Sequence, residues 1–212
     1  MIPMLASLIP AAISFVTKVA ATIGPLIAKN APMIISTIGK NLPAVVKTVE
    51  SIGAVIGTLQ PEEKVENLGA KAMSADKKPE DFDRINDYID YIRNDVEVDQ
   101  EKLSNDKTDV MARQAVGSAI MIQSFKETLG SDVGLPFIKT VSELGLDPKM
   151  AISIAKIYAD SGLKADDMEG YISDKLDIED ANKHSEALVK SFQATSPSMA
   201  IEEAETAVMD LR

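Results

Sequence analysis

The 212-residue chain has no cysteine, no tryptophan and one histidine, His184; its aromatics are five Phe and four Tyr. Without cysteine there is no disulfide framework, thiolate nucleophile or zinc–thiolate centre. A lone histidine argues against a hydrolytic triad and a multi-histidine metal site. It stands in the polar run Asn182-Lys183-His184-Ser185-Glu186, which predicts an exposed helical face. Also missing are a Gly-rich phosphate loop, a G-x-S-x-G elbow and any basic patch interleaved with aromatics. Neither an enzyme nor a cofactor or metal site is expected.

Acid is absent before Glu50, and arginine before Arg84. Residues 1–60 hold Lys18, Lys29, Lys40, Lys47 and Glu50, a net charge of +3; the rest holds 18 bases and 32 acids, a net charge of −14. Such a chain repels nucleic acid through its body, and four lysines do not make a nucleic-acid patch at the other end. Carboxylates cluster at Asp81, Asp83, Asp87 and Asp90, at Asp166, Asp167 and Glu169, and at Asp174, Asp177, Glu179 and Asp180. None of these runs has the alternating oxygen ligands and turn glycine of a calcium loop. They read as solvated helix faces and N-terminal caps.

Long uncharged runs are missing too. Residues 1–17 carry no charge, but Lys18, Lys29 and Lys40 interrupt before a bilayer-spanning length of about 20 residues is reached. A central lysine costs about 3 kcal/mol on insertion scales. No basic stretch precedes the apolar run, so a cleaved signal peptide is not expected. The expectation is synthesis in the cytoplasm, then transfer to a membrane or virion.

What is present is a repeat. In blocks of 11 residues starting at Ser7, the first position reads Ser7, Lys18, Lys29, Lys40, Ser51 and the fourth reads Pro10, Ala21, Pro32, Pro43, Ala54. Eleven residues fill about three helical turns, at about 98° each. One side of that wheel gathers Ile13, Ile23, Ile34, Ile35, Ile38, Val45 and Val46, with the lysines opposite. This is an amphipathic helical pattern with a wide apolar face and a thin cationic one.

Proline inside a helix costs about 3 kcal/mol, so Pro25, Pro32 and Pro43 argue against one rod. Short helices are expected over 10–23, 32–39 and 43–58, hinged at Gly24-Pro25, Asn30 and Asn41. Residues 61–81 read as a polar linker with a helix over 62–73. The spacing of Phe82, Ile85, Ile89, Ile92, Val96 and Leu103 predicts a long helix over 80–104. A buried central helix is expected over 109–129, then helices over 136–144, 148–160, 164–176, 178–194 and from Ser196-Pro197 to about 211.

The expected fold is all-α: an apolar, cationic arm (1–60), a linker (61–81) and an acidic multi-helix bundle (82–212). The arm's apolar face can meet lipid, neighbouring copies in an assembly, or the interior of its own chain. The first expectation is therefore a membrane-active, oligomerising protein such as a pore former, an inserting toxin or effector, or a phage ejection protein. There the listed isoleucines and valines would be the buried face and Lys18, Lys29 and Lys40 the headgroup contacts. The alternative is a non-enzymatic structural subunit of a virion, shell or filament, with the repeat buried between copies. The expected partners are a bilayer or further copies of the chain.

Overall fold

The computed structural model describes residues 3–39 and 41–212, and all their side chains except those of residues 3–7, 38 and 100. The described residues are all-α, with no strand among them. The chain divides into two compact units, Met1–Glu127 and Thr128–Arg212.

The first unit opens with α1 (Pro3–Lys18), α2 (Ala20–Ile38) and α3 (Leu42–Ile56). α1 starts earlier than expected and runs through Pro10. Pro10 is exposed, so the carbonyl it deprives of a partner lies on the water-facing side. The bend at Gly24-Pro25 is present: within α2, Gly24 alone leaves helical geometry, at φ 75° and ψ 157°. The expected break at Asn30 is not formed, and α2 continues through Pro32. Asn30 instead turns its Nδ2 back to donate to the Leu26 carbonyl at 2.8 Å. That local bond gives Asn30 a helical role in place of a closing one. α3 begins after Asn41, has Pro43 in its first turn, and ends on left-handed Gly57.

α4 (Val65–Ser74), α5 (Ile85–Asp95) and α6 (Lys107–Leu129) complete the unit. α5 is much shorter than the helix expected over 80–104. Val96 takes up extended geometry after Asn94-Asp95, where short polar side chains compete with the helical backbone. The start of α5 is held from α6: Glu127 accepts the Ile85 N–H at 2.9 Å and the Asn86 side chain at 3.0 Å. α6 is the buried central helix, with Ala112, Val116, Ala119, Ile120 and Phe125 shielded on different sides. Its buried Arg113 reaches Glu66 of α4 at 2.8 Å and the Ser104 carbonyl at 2.8 Å.

α4 and α6 meet backbone to backbone. A Cβ added at Gly69 would lie 1.9 Å from the Arg113 carbonyl oxygen, and one at Gly117 would lie 2.0 Å from that of Val65. Only glycine permits such an approach.

The compact units divide elsewhere than at 60 and 81. Glu50 of α3 accepts the Val65 N–H at 3.1 Å, and Arg93 of α5 bonds both Glu63 and the Thr58 carbonyl. The segment 61–81 is thereby bound to the helices on both sides of it.

The second unit contains α7 (Leu135–Leu144), α8 (Pro148–Asp160), α9 (Met168–Ile172), α10 (Ile178–Thr195) and α11 (Ile201–Met209). Asp147 and Asp177 cap α8 and α10 as their sequence positions suggest, accepting from Lys149 N at 2.8 Å and Asp180 N at 2.9 Å. The helix expected over 164–176 is a 3-10 turn, Ala165–Asp167, followed by the five-residue α9. α11 begins at Ile201, not at Ser196-Pro197, because Ser196 to Met199 close a turn of their own.

Candidate functional site

The surface to judge is the N-terminal arm. Its repeat places Ile23, Ile27, Ile34, Ile35, Val45, Val46 and Val49 in the core of the first unit, each at most 7% exposed. Ile13 is half-buried, and the Ile38 side chain lies outside the described residues. As folded, this face points into its own unit. The periodicity identified the face, and long-range packing against the helices that follow supplies its cover.

The opposite face points outward. Lys18, Lys29 and Lys47 are exposed; Lys40 lies outside the described residues. Pro25 and Pro43 are exposed and Pro32 is half-buried. Leu26 is 40% exposed, Met33 45% and Val55 48%. Leu26, Lys29 and Met33 stand three and four residues apart, so they form one apolar–cationic–apolar ridge along α2. No carboxylate interrupts this outer face before Glu50.

Several polar side chains of the arm are bonded to the arm's own backbone. Thr17 donates to the Ile13 carbonyl at 2.9 Å, Ser36 to that of Met33 at 3.0 Å, and Thr48 to that of Ala44 at 3.1 Å. Asn30 does the same to Leu26. Groups already satisfied in this way lose less on leaving water than free hydroxyls or amides.

At the bend, the Leu26 N–H donates to Glu80 Oε1 at 2.9 Å. Glu80 belongs to the 3-10 turn Pro79–Asp81. Sequence reasoning missed this contact, since nothing local links residues 54 positions apart.

His184 is buried, at 3% exposure, contrary to the exposed position expected from its polar neighbours. Its Nδ1 lies 3.1 Å from the Tyr158 hydroxyl, and its ring stacks on that of Tyr171. The signal was present: His184, Ala187, Leu188 and Ser191 share one helical face, and all are buried. Burial holds the imidazole below its usual range, while Asp167 and Asp180 pull it back upward. Burial also raises the Tyr158 hydroxyl, with Tyr171 and Asp167 adding to the effect. The pair packs the second unit.

The acidic runs are largely occupied by structure. Asp166 accepts the N–H groups of Gly134 at 2.7 Å and Phe137 at 3.3 Å, and Glu169 pairs with Lys139 at 2.7 Å. Among the described residues, no group of three or more His, Asp or Glu is placed to hold a metal ion. Likewise, no helix among them is long and apolar enough to cross a membrane. No family model, curated protein or solved structure matches this chain.

Proposed function

We propose that this protein acts at membranes: the outward face of its arm docks on an anionic bilayer, and the acidic remainder keeps it dispersed in water. The observation that carries the reading is the lysine-bearing and partly apolar outer face of α1–α3, free of acid up to half-buried Glu50, on a chain of net charge −11. Each lysine near an anionic surface contributes about 1 kcal/mol. Leu26 and Met33 add apolar contact, and the back-bonded Thr17, Ser36 and Thr48 lower the cost of dehydration.

In the fuller form of this reading, the arm then opens at Gly24-Pro25. Ile23, Ile34, Ile35, Val45 and Val46 exchange the protein core for lipid, with the helices in the plane of the interface. Several copies associate to perturb the bilayer.

The test is sedimentation with vesicles of mixed phosphatidylglycerol and phosphatidylcholine against phosphatidylcholine alone. Binding is expected only to the anionic vesicles, weakening with salt. Combining Lys18→Glu, Lys29→Glu and Lys47→Glu removes about 3 kcal/mol, a loss of at least about 100-fold in affinity. Failure of the unaltered protein to bind anionic vesicles at low salt defeats the reading.

A second reading, a structural subunit of a larger assembly, draws on the C-terminal unit. There Ile201 (50% exposed) and Met209 (73%) flank Val189 in an open groove between α10 and α11. It expects a stable oligomer without lipid, which light scattering reads directly, and Met209→Asp would dissociate it. A monomer in lipid-free buffer at all concentrations rules it out.

A further inference from the structure

The bend in α2 is joined to the rest of the first unit by one carboxylate. Gly24 has φ 75°, a conformation that side-chain-bearing residues rarely adopt. Pro25 has no N–H, so the next free donor of the segment it opens is Leu26. That N–H donates to Glu80 Oε1 at 2.9 Å. The other oxygen, Oε2, lies 2.1 Å from the position a Cβ on Gly24 would take, too close for any side chain there. A backbone turn, an open donor and room for a carboxylate thus coincide at one point.

Glu80 is well placed to hold on and to let go. Its turn is fixed by buried Pro79, by the Phe82 N–H donating to the Pro79 carbonyl at 3.1 Å, and by Asp81 accepting the Lys78 N–H at 2.8 Å. Glu80 itself is exposed, so its bond can break without unpacking the core. Among the described residues, it makes the only side-chain hydrogen bond joining α1 or α2 to the chain beyond residue 60.

We infer that Glu80 is an autoinhibitory latch: it caps the helix restarted at Pro25 and holds the arm closed in water. Its negative charge stands beside Leu26, at one end of the outward ridge. An anionic bilayer approaching that ridge repels the carboxylate, weakens the cap and frees the bend. The latch's purpose rests on the membrane reading above; the contact itself does not.

The absence of native cysteine allows a direct test. Ile27, fully buried one residue beyond the latched amide, is replaced by cysteine (Ile27→Cys), and its thiol-labelling rate is measured with Glu80 intact, with Glu80→Ala and with Glu80→Gln. Ala155→Cys, fully buried in the second unit, is the control. Glu80→Ala is expected to speed labelling at position 27 about tenfold, as loss of a charged helix cap implies. Glu80→Gln, which keeps an acceptor but no charge, falls between, and the control rate does not move. Phosphatidylglycerol vesicles accelerate labelling at position 27 while Glu80 is intact.

Equal rates at position 27 with and without Glu80 overturn the latch, and so does equal acceleration at both thiols. Should Ile27→Cys lose helical signal, amide exchange at residues 26–28 in Glu80→Ala decides the same question without any thiol. Faster opening with no gain in vesicle binding leaves the latch standing and removes the membrane reading. Unchanged opening with intact vesicle binding does the reverse.

Discussion

Gly117→Ala should destabilise the first unit, although alanine is the better helix former. In an exposed helix the change would stabilise by roughly 0.5–1 kcal/mol. Here the new Cβ would meet the Val65 carbonyl oxygen at 2.0 Å and its carbonyl carbon at 2.8 Å. Backbone atoms cannot rotate away, so α4 must retreat by about 1 Å to reach ordinary contact distance. That retreat strains the 2.8 Å Arg113–Glu66 bond and the 3.1 Å cap from Glu50 to Val65 N, and it opens the packing around Leu68. Overpacking of this kind costs about 1–3 kcal/mol, and a weakened pairing at buried Arg113 adds about 1 kcal/mol more. The net expectation is a loss of about 2–3 kcal/mol, or about 8–10 °C in the melting temperature of a unit this size. Urea unfolding followed by circular dichroism gives the free energy, and amide exchange in α4 and α6 assigns it to the first unit. Gly69→Ala, which would meet the Arg113 carbonyl oxygen at 1.9 Å, should cost a similar amount. Because both changes relax through one movement of α4, the double variant should lose less than the sum. If either single variant is more stable than the parent, the helices do not cross at these glycines.

The remaining predictions concern buried polar groups. Because burial lowers His184 in the folded state, the unfolded chain takes up the proton first as pH falls. The stability of the second unit is therefore fully present above about pH 6.5 and falls as pH drops below it, at up to about 1.4 kcal/mol per pH unit. Amide exchange in α8 and α10 at pH 7.5 and 5.5 reads this; His184→Gln should flatten the slope, and an unchanged slope refutes the assignment to His184. Glu66→Ala leaves the guanidinium of Arg113, 5% exposed, without its carboxylate, and should cost about 3 kcal/mol in urea unfolding. The additional change Arg113→Met should restore much of that loss; if it does not, the pair is not the source of the cost.

What could be read from sequence followed the range of the interaction. Asp147-Pro148, Asp177 and Gly145 mark helix ends through bonds to residues two or three positions away, and these ends fall where expected. The repeat likewise revealed which face of the arm is apolar, because periodicity is local. It could not reveal what covers that face, since α4 and α6 become neighbours only in the folded chain. Nor could composition distinguish Gly69 and Gly117, which serve close approach, from Gly57 and Gly145, which serve turns. Pro32 shows the opposite limit. Its local rule is sound, yet the α2 helix continues past it, carried by the core positions Ile27, Ala31, Ile34 and Ile35.

The single acid of the arm has one more consequence. Glu50 sits in α3, but the backbone it serves is the first turn of α4. If α3 peels away, α4 loses its cap and exposes open N–H groups at its start. α4 therefore depends on α3 for its cap, and the two should open as one cooperative block in native-state exchange. Among the described residues, the hairpin of α1 and α2 shares no such bond with α4. The first 74 residues are thus graded, with an early hairpin whose side-chain bond to the later chain is the one at Glu80 and an α3–α4 block that opens together.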